Sequence, residues 1–431
     1  MKISRGTDIM NFDYSHLKSQ LQQFATTKEP EELTQLRQRA FQDVTTTQLP
    51  KVTKFNFQDW PLISDQSSSL QFPKVIEQLT DSEQVTVEVN SQKVTVTLPN
   101  QLKELGIIIS ELGSAITAHP QILTKYLARV IQPDENLLAA YHTAFINQGL
   151  FVYVPRNVEL KEPIHLTVNF DQTIKGTINF HLLIVAGENS RFQIIDHLVS
   201  FRQQTNPLTN FVEIMAEENS EVHFSSLDHL AQQSPSYYQY RAAIRDYAKV
   251  DWSIGLMNEC NTVGEIDSEL IGKGARANSQ LIALTTNDQQ LGINNRVTNR
   301  SPHSQGLINQ RGVALGNSRL IFNGIGQIIH GAHGSEAEQQ NRLLMMSPHA
   351  TGDANPILLI DENDVEAGHA ASVGKINQDQ LYYLLSRGIP LHQAQRMVIR
   401  GFLSAVITAI PDKNVRQEMV DILERKLLEN A

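Results

Sequence analysis

Two stretches of this chain share one frame. "LLIVAGENSRFQIIDHL" (182–198) and "VEIMAEENSEVHFSSLDHL" (212–230) each run from an apolar strand through a polar turn with Asn-Ser into an alternating strand. Ser190 and Ser220 hold the same place in the two frames. Weaker copies follow in "YRAAIRDYAKVDWSIGL", "ELIGKGARANSQLIAL", "GVALGNSRLIFNG" and "GQIIHGAHGSEAEQQN". A short-strand unit repeated in this way cannot bury its apolar face alone, so stacking must do it. The repeat predicts a β-helix-like solenoid, mainly β, with apolar residues inside and turn residues at the corners. A β-sandwich is the alternative that such spacing leaves open.

The segments on either side have a different texture. Residues 1–149 read as mostly helical with a small hairpin. "DYSHLKSQLQQFAT" is amphipathic, and "PEELTQLRQRAFQDV" opens with Pro30 and two acids, a helix start. "LPKVTKFNFQDWPLI" reads as extended, and "QVTVEVNSQKVTVTL" alternates around "NSQ" as a hairpin. "ELGSAITAHPQILTKYLARVI" and "ENLLAAYHTAFINQG" read as helices, the second ending at Gly149. The solenoid is expected over 150–374 and a C-terminal helical domain over 375–431. There Asn377 is a good N-cap with Gln380 in capping-box position, and Gly388 is a plausible C′ glycine. Val415, Met419, Ile422 and Leu423 share one face of a last helix.

Composition narrows the function classes. Hydrophobic residues make up 41% of the 431 and charged residues 19%, and the net charge is −10. An acidic chain does not suit nucleic acid or an anionic membrane surface. "MKISRGTDIM" has no apolar h-region, and no uncharged apolar run is long enough to span a bilayer. The expected location is the cytoplasm. Cys260, the single cysteine, permits no intrachain disulfide and no multi-cysteine metal site, and its apolar neighbours suggest a buried hydrophobe.

The candidate chemistry is sparse. No P-loop pattern occurs, and "GKGARA" is followed by strand alternation where a dinucleotide fingerprint needs a helix. "DENDVEAGHAAS" fails as an EF-hand, because Glu366 and Ser372 stand where glycine and the last glutamate belong. Asp361, Glu362 and Asp364 read as a solvated turn. Among the 14 histidines, His197 and His229 each follow an aspartate and could align along one solenoid face. His330 and His333, in "HGAH", lack evident co-ligands, and His349 reads as a loop residue. His369 stands among small residues in "EAGHAASVG". A solenoid acting on carbohydrate through a lateral face is conceivable on these grounds, although no paired-carboxylate spacing supports it.

"ANPILLIDENDVEAGHAASVGKINQDQLYYLLSRGI" closely resembles the SufD family of iron–sulfur cluster assembly proteins of the SUF system. The likeness continues upstream through "GVALGNSRLIFNGIG" and "EAEQQNRLLMMSPHATGDANP", and more weakly through "LPKVTKFNFQDW". It implies a right-handed parallel β-helix flanked by N-terminal and C-terminal helical regions. It implies a non-catalytic scaffold that pairs with a SufB-like paralogue and docks a SufC-like ATPase, where the ATPase activity resides. Pairing of the chain with itself in isolation is a further reading. The resemblance makes His369 a cluster-assembly and interface residue and a candidate iron ligand. It makes Tyr382, Tyr383, Arg387 and Gly388 the ATPase-docking segment. It implies no cofactor held stably by this chain alone, a transient iron–sulfur cluster in the complex, and reduced flavin as a further candidate. Ala367, Ala370 and Ala350 stand where relatives carry cysteine or glutamate ligands, so other cluster ligands are expected from the partner.

Overall fold

The computed structural model describes residues 14–26, 30–64, 73–80, 84–90, 93–170, 176–200, 206–231, 234–408, 410 and 413–429. The chain winds into a β-solenoid of about seven turns, with helices at both termini. Two sheets face each other across a lumen, one of 11 strands and one of nine. From Gln148–Val154 onward, each strand pairs in parallel with the strand one coil away. Glu221 lies between Arg191 of the coil before and Lys249 of the coil after.

The corners explain the Asn-Ser turns. Asn157, Asn189 and Asn219 take left-handed backbone with φ of 61°, 58° and 56°. Asparagine tolerates this conformation better than most residues. Their amides also form a ladder, Asn219 donating to Asn189 and Asn189 to Asn157, each at 2.8 Å. Inside, alternate residues fill the lumen with aromatic and branched side chains. The rings of Phe224 and Trp252 meet edge-on at 5.5 Å.

The N-terminal residues join this architecture. Strands Lys74–Thr80, Val85–Val89 and Lys93–Pro99 extend the 11-stranded sheet, and Ile108–Glu111 extends the other. Val85–Val89 and Lys93–Pro99 pair antiparallel as the expected hairpin, whose tip at 91–92 lies outside the described residues. Gly149 does not end a helix. The helix stops at Phe145, and Gly149 sits within strand Gln148–Val154. A Cβ there would come within 2.5 Å of the His181 carbonyl oxygen, so close strand packing requires glycine. The buried Glu213 carboxylate holds the helical region to the sheet by accepting the backbone N–H of Ala128 and Ile131. The extended segment 49–60 lies across the nine-stranded sheet, where Asn294 and Asn323 donate to the carbonyls of Lys51 and Thr53.

At the other terminus, helices Gln378–Ser386, Leu391–Ile407 and Lys413–Glu429 cover the outer face of the 11-stranded sheet. Ile195, Leu227, Ile282, Leu284 and Val313 of the sheet pack against Ile399, Leu403, Met419 and Leu423 of the helices. Lys426 reaches through this seam and donates to the Asn258 carbonyl at 2.5 Å. His197 and His229 both meet the last helix, at Glu418 and Arg425. They do not align in register, since His197 pairs with Leu227 and His229 with Val199.

Asp196 and Asp228 are buried carboxyls. Burial pushes Asp196 up to about 7, reinforced by Asp228, and pushes Asp228 up to about 6. A folded-state pKa raised above the unfolded one means the folded chain holds extra protons. Stability from these groups is full below about pH 4 and is lost as pH rises through 6–7. Asp196→Asn is therefore expected to leave stability nearly unchanged at pH 4 and to raise it by about 4 kcal/mol at pH 8. Urea denaturation across that range checks this, and a pH-independent difference would refute it.

Candidate functional site

The last coil consists of strands Thr351–Ile360 and Val365–Lys375, each at the end of its sheet. Thr351–Ile360 pairs with Arg319–Ile328, and Val365–Lys375 pairs with Ser335–Met345. Both therefore carry an outer row of backbone N–H and C=O groups with no strand beyond among the described residues. The opposite ends of the two sheets finish on shorter strands, Lys74–Thr80 and Ile108–Glu111. Long, unprotected edges are what folded proteins ordinarily avoid, because they template pairing with another chain.

His369 lies on this open coil. Its register partner is Gln339, and the row Ala337, Gln339, Asn341, Leu343 is buried while Glu338 and Gln340 are exposed. His369 thus belongs to the lumen-facing row, at the mouth of the solenoid, and is exposed because no further coil covers it. Its neighbours leave room. A Cβ at Gly368 or Gly374 would meet nothing within 4 Å, whereas one at Gly312 would collide with Leu320 at 2.4 Å. Packing within this chain explains Gly312 and neither Gly368 nor Gly374.

The lumen beneath His369 is polar. Gln310 donates to Asn341 at 2.9 Å, Asn341 to the Gln339 side-chain oxygen at 3.3 Å, and Gln339 to the Ile357 carbonyl at 2.9 Å. The last bond crosses from one sheet to the other. Sequence reading missed this chain of amides. The available signal was polar residues at alternate positions in "SEAEQQN", where other repeats put apolar ones.

The segment expected to dock the ATPase is well formed. Asn377 caps helix Gln378–Ser386 by accepting the N–H of Asp379 and Gln380. Gly388, at φ 81°, closes it: its N–H bonds to the Leu385 carbonyl, and the Ile389 N–H bonds to that of Leu384. This pair of bonds is a Schellman motif, which favours glycine. Tyr382 is 74% exposed and Tyr383 56%. The Arg387 guanidinium lies 5.2 Å from the centre of the Tyr383 ring. Beside them runs a mainly apolar cleft of 830 Å³, lined by Tyr383, Leu384, Met397 and Phe402, with Lys375 at the strand end.

Among the described residues, no three His, Cys, Asp or Glu side chains converge as a metal site. His369 belongs to no such group. His330 is 3.8 Å from Glu362, and the His303 and His333 rings meet edge-on at a corner, 5.2 Å apart. Cys260 is buried against Ser236 and Thr262. Burial, followed by the Asp228 charge, pushes its thiol up to about 12, so it is neither a thiolate nor reactive at neutral pH. Among the described residues, no helix is long and apolar enough to cross a membrane.

Residues 170–402 match the family described as SUF system FeS cluster assembly, SufBD core domain. Residues 69–166 match the SufBD protein N-terminal region. This chain belongs to the SufBD family. Among curated relatives, the iron-sulfur cluster assembly protein SufD of Bacillus subtilis is 32% identical over 97% of this chain and 98% of its own length. SufBD family proteins of Staphylococcus epidermidis and Staphylococcus aureus are 24% identical over 76% of this chain and 70% of theirs. The SufBD core match covers the open coil, His369, the Tyr382–Gly388 segment and most of the helix after it. The carbohydrate-active alternative gains nothing from the match.

The Gly368 site yields a direct test of what the small residues are for. Gly368→Trp is expected to leave the thermal midpoint of the isolated chain within about 2 °C, since surface changes away from packed features cost little. A large drop in a melting experiment would show that Gly368 is needed by the fold itself.

Proposed function

We propose that this chain is a non-catalytic scaffold subunit of a cytoplasmic SUF complex, pairing with a SufB-like paralogue through its open last coil and docking a SufC-like ATPase through its C-terminal helices. The open coil is the observation that carries this reading. Two sheet edges, ten and eleven residues long, end the solenoid on one side, longer than the seven- and four-residue edges at the other. A partner that adds strands there satisfies the backbone groups, and the small residues around His369 admit it closely. In isolation a second copy of the chain can cover the same edges.

His369 then sits where the partner closes the lumen. A neutral imidazole supplies one lone pair to iron. The remaining ligands come from the partner, because among the described residues no three His, Cys, Asp or Glu side chains converge as a metal site. The cluster is cargo in this scheme, and the chain has no resident cofactor. His369→Ala should leave co-purification with the paralogue and ATPase intact while cutting the rate of cluster formation, followed by visible absorbance during anaerobic reconstitution, about tenfold or more. Cluster formation at the wild-type rate would overturn the assignment of His369.

Exposed tyrosines backed by an arginine are favoured contact types at protein interfaces. Together with the apolar cleft, they support docking of the ATPase at Tyr382, Tyr383, Arg387 and the Gly388 turn. Removing the helices is a poor test, because it would bare Ile195, Ile282, Leu284 and Val313 of the sheet. The double variant Tyr382→Ala, Tyr383→Ala is expected to weaken ATPase binding by tenfold or more in calorimetry, with its melting curve unchanged. Undiminished affinity would remove this surface from the scheme.

A further inference from the structure

The two edges of the open coil differ in the donors they offer. In a parallel ladder the N–H and C=O of one residue point to one neighbouring strand, and those of the next residue point to the other. Two bonds fix this phase in strand Thr351–Ile360. The Thr351 N–H goes back to the Ser318 carbonyl, and the Asp361 N–H goes back to that of Ile328. Odd-numbered residues there face the coil before. Gly352, Ala354, Pro356, Leu358 and Ile360 turn their main chain outward, where no strand lies among the described residues. In Ser335–Met345 the Glu336 N–H bonds back to the Ser304 carbonyl, and at its end the Met346 N–H bonds back to that of Ala314. Glu336 is in register with Glu366. In strand Val365–Lys375 the even-numbered residues therefore bond back, and Ala367, His369, Ala371 and Val373 face outward.

Pro356 falls at an outward position. Among the described strands from Gln148–Val154 onward it is the only proline. A proline has no N–H, and its ring fills the place of that hydrogen, so it fits a sheet where that side faces away from the ladder. The same ring keeps the edge from being continued. A strand laid against it would meet the ring, and the carbonyl opposite would find no donor. Edge prolines are one of the devices by which sheets refuse a further strand. Val365–Lys375 has no such block, since its outward row carries an N–H at every residue. Between the edges, the lumen rows end in Ala354, Leu358, Ala371 and Val373 around His369, with Val373 48% exposed. A free peptide on one edge would leave this apolar mouth wet. The end of a second solenoid covers mouth and edge together, which points to the terminal coil of the paralogue as the occupant.

We infer that the two edges have different roles: the paralogue adds a strand to Val365–Lys375, bonding the main chain of Ala367, His369, Ala371 and Val373, while Pro356 bars a continuous strand from Thr351–Ile360, which meets the partner through side chains. This rests on the reading of the open coil as the pairing surface. Main-chain bonds give such strand addition its affinity. They also hold the His369 backbone from the partner's side, so the imidazole is placed only when the pair has formed.

The test makes one chemical change on each edge of the full-length chain and titrates each variant with the purified paralogue by calorimetry. Ala371→Pro removes an outward donor from Val365–Lys375 and should weaken binding on the order of tenfold or more, with its melting curve unchanged. Ala354→Pro removes the equivalent donor from Thr351–Ile360 and should weaken binding less than about threefold. Ser372→Pro removes a donor that bonds back within the chain, and should lower the melting midpoint. Residue-resolved hydrogen exchange on the wild-type chain keeps the inference testable if a variant folds poorly. On binding, the amides of Ala367, His369, Ala371 and Val373 should slow on the order of tenfold or more, and those of Ala354 and Leu358 far less. Wild-type affinity in Ala371→Pro, an equal loss in Ala354→Pro, or equal protection of both edges would overturn the inference and leave the pairing reading standing. Failure of the wild-type chain to bind the paralogue would sink the pairing reading, and the inference with it.

Discussion

Every part of this molecule depends on backbone hydrogen bonding from one coil to the next. A strand in a parallel solenoid is satisfied only when a neighbour lies on each side, so each coil requires another. That demand fixes the register, and the register aligns equivalent residues in rows along the lumen and ladders along the corners. It explains why asparagine recurs at left-handed corners, where it serves both the backbone and the amide of the next turn. It also means that the two ends of the stack cannot be equivalent to its middle. One end finishes on shorter strands drawn from the N-terminal region. The other ends on two long strands with no further strand among the described residues, and His369 and its small neighbours lie there.

The remaining surfaces are arranged around that open end. The C-terminal helices cover the outer face of one sheet and are anchored by Lys426 at Asn258. The segment 49–60 is tied across the other sheet and reaches the last coil, where the Lys54 ammonium meets Asn355 at 2.7 Å. The helix carrying Tyr382 and Tyr383 begins three residues after the terminal strand ends. A partner on the open coil and a partner on that helix would thus be separated by only a short stretch of chain. This proximity offers a physical route by which a motion of one could strain the other.

Much of this was legible in the sequence. The Asn-Ser frames announced stacked short strands, because a corner residue that must adopt left-handed backbone is chemically restricted. Asn377 and Gly388 announced the ends of a helix for the same reason, since caps are local. The family likeness extended these signals to nearly the whole chain. What failed to show had no local cause. Gly149 looked like a helix stop and is a strand residue pressed against the His181 backbone. His197 and His229 looked equivalent because each follows an aspartate, yet the register offsets them by two residues.

The sequence by itself determined the repeat, the corner chemistry and the helix caps, because those follow from conformational preferences within a few residues. It also marked His369 as an imidazole without local companions. The tertiary structure decided which way each residue faces, which coil is last, and what lies next to what. Gln339 and His369 are 30 positions apart in the chain and adjacent on one lumen row. Gln339 and Ile357 belong to opposite sheets and share a hydrogen bond. Those relations exist only once the coils have closed on one another, since the hydrogen bonds that set them run between coils and not along the chain.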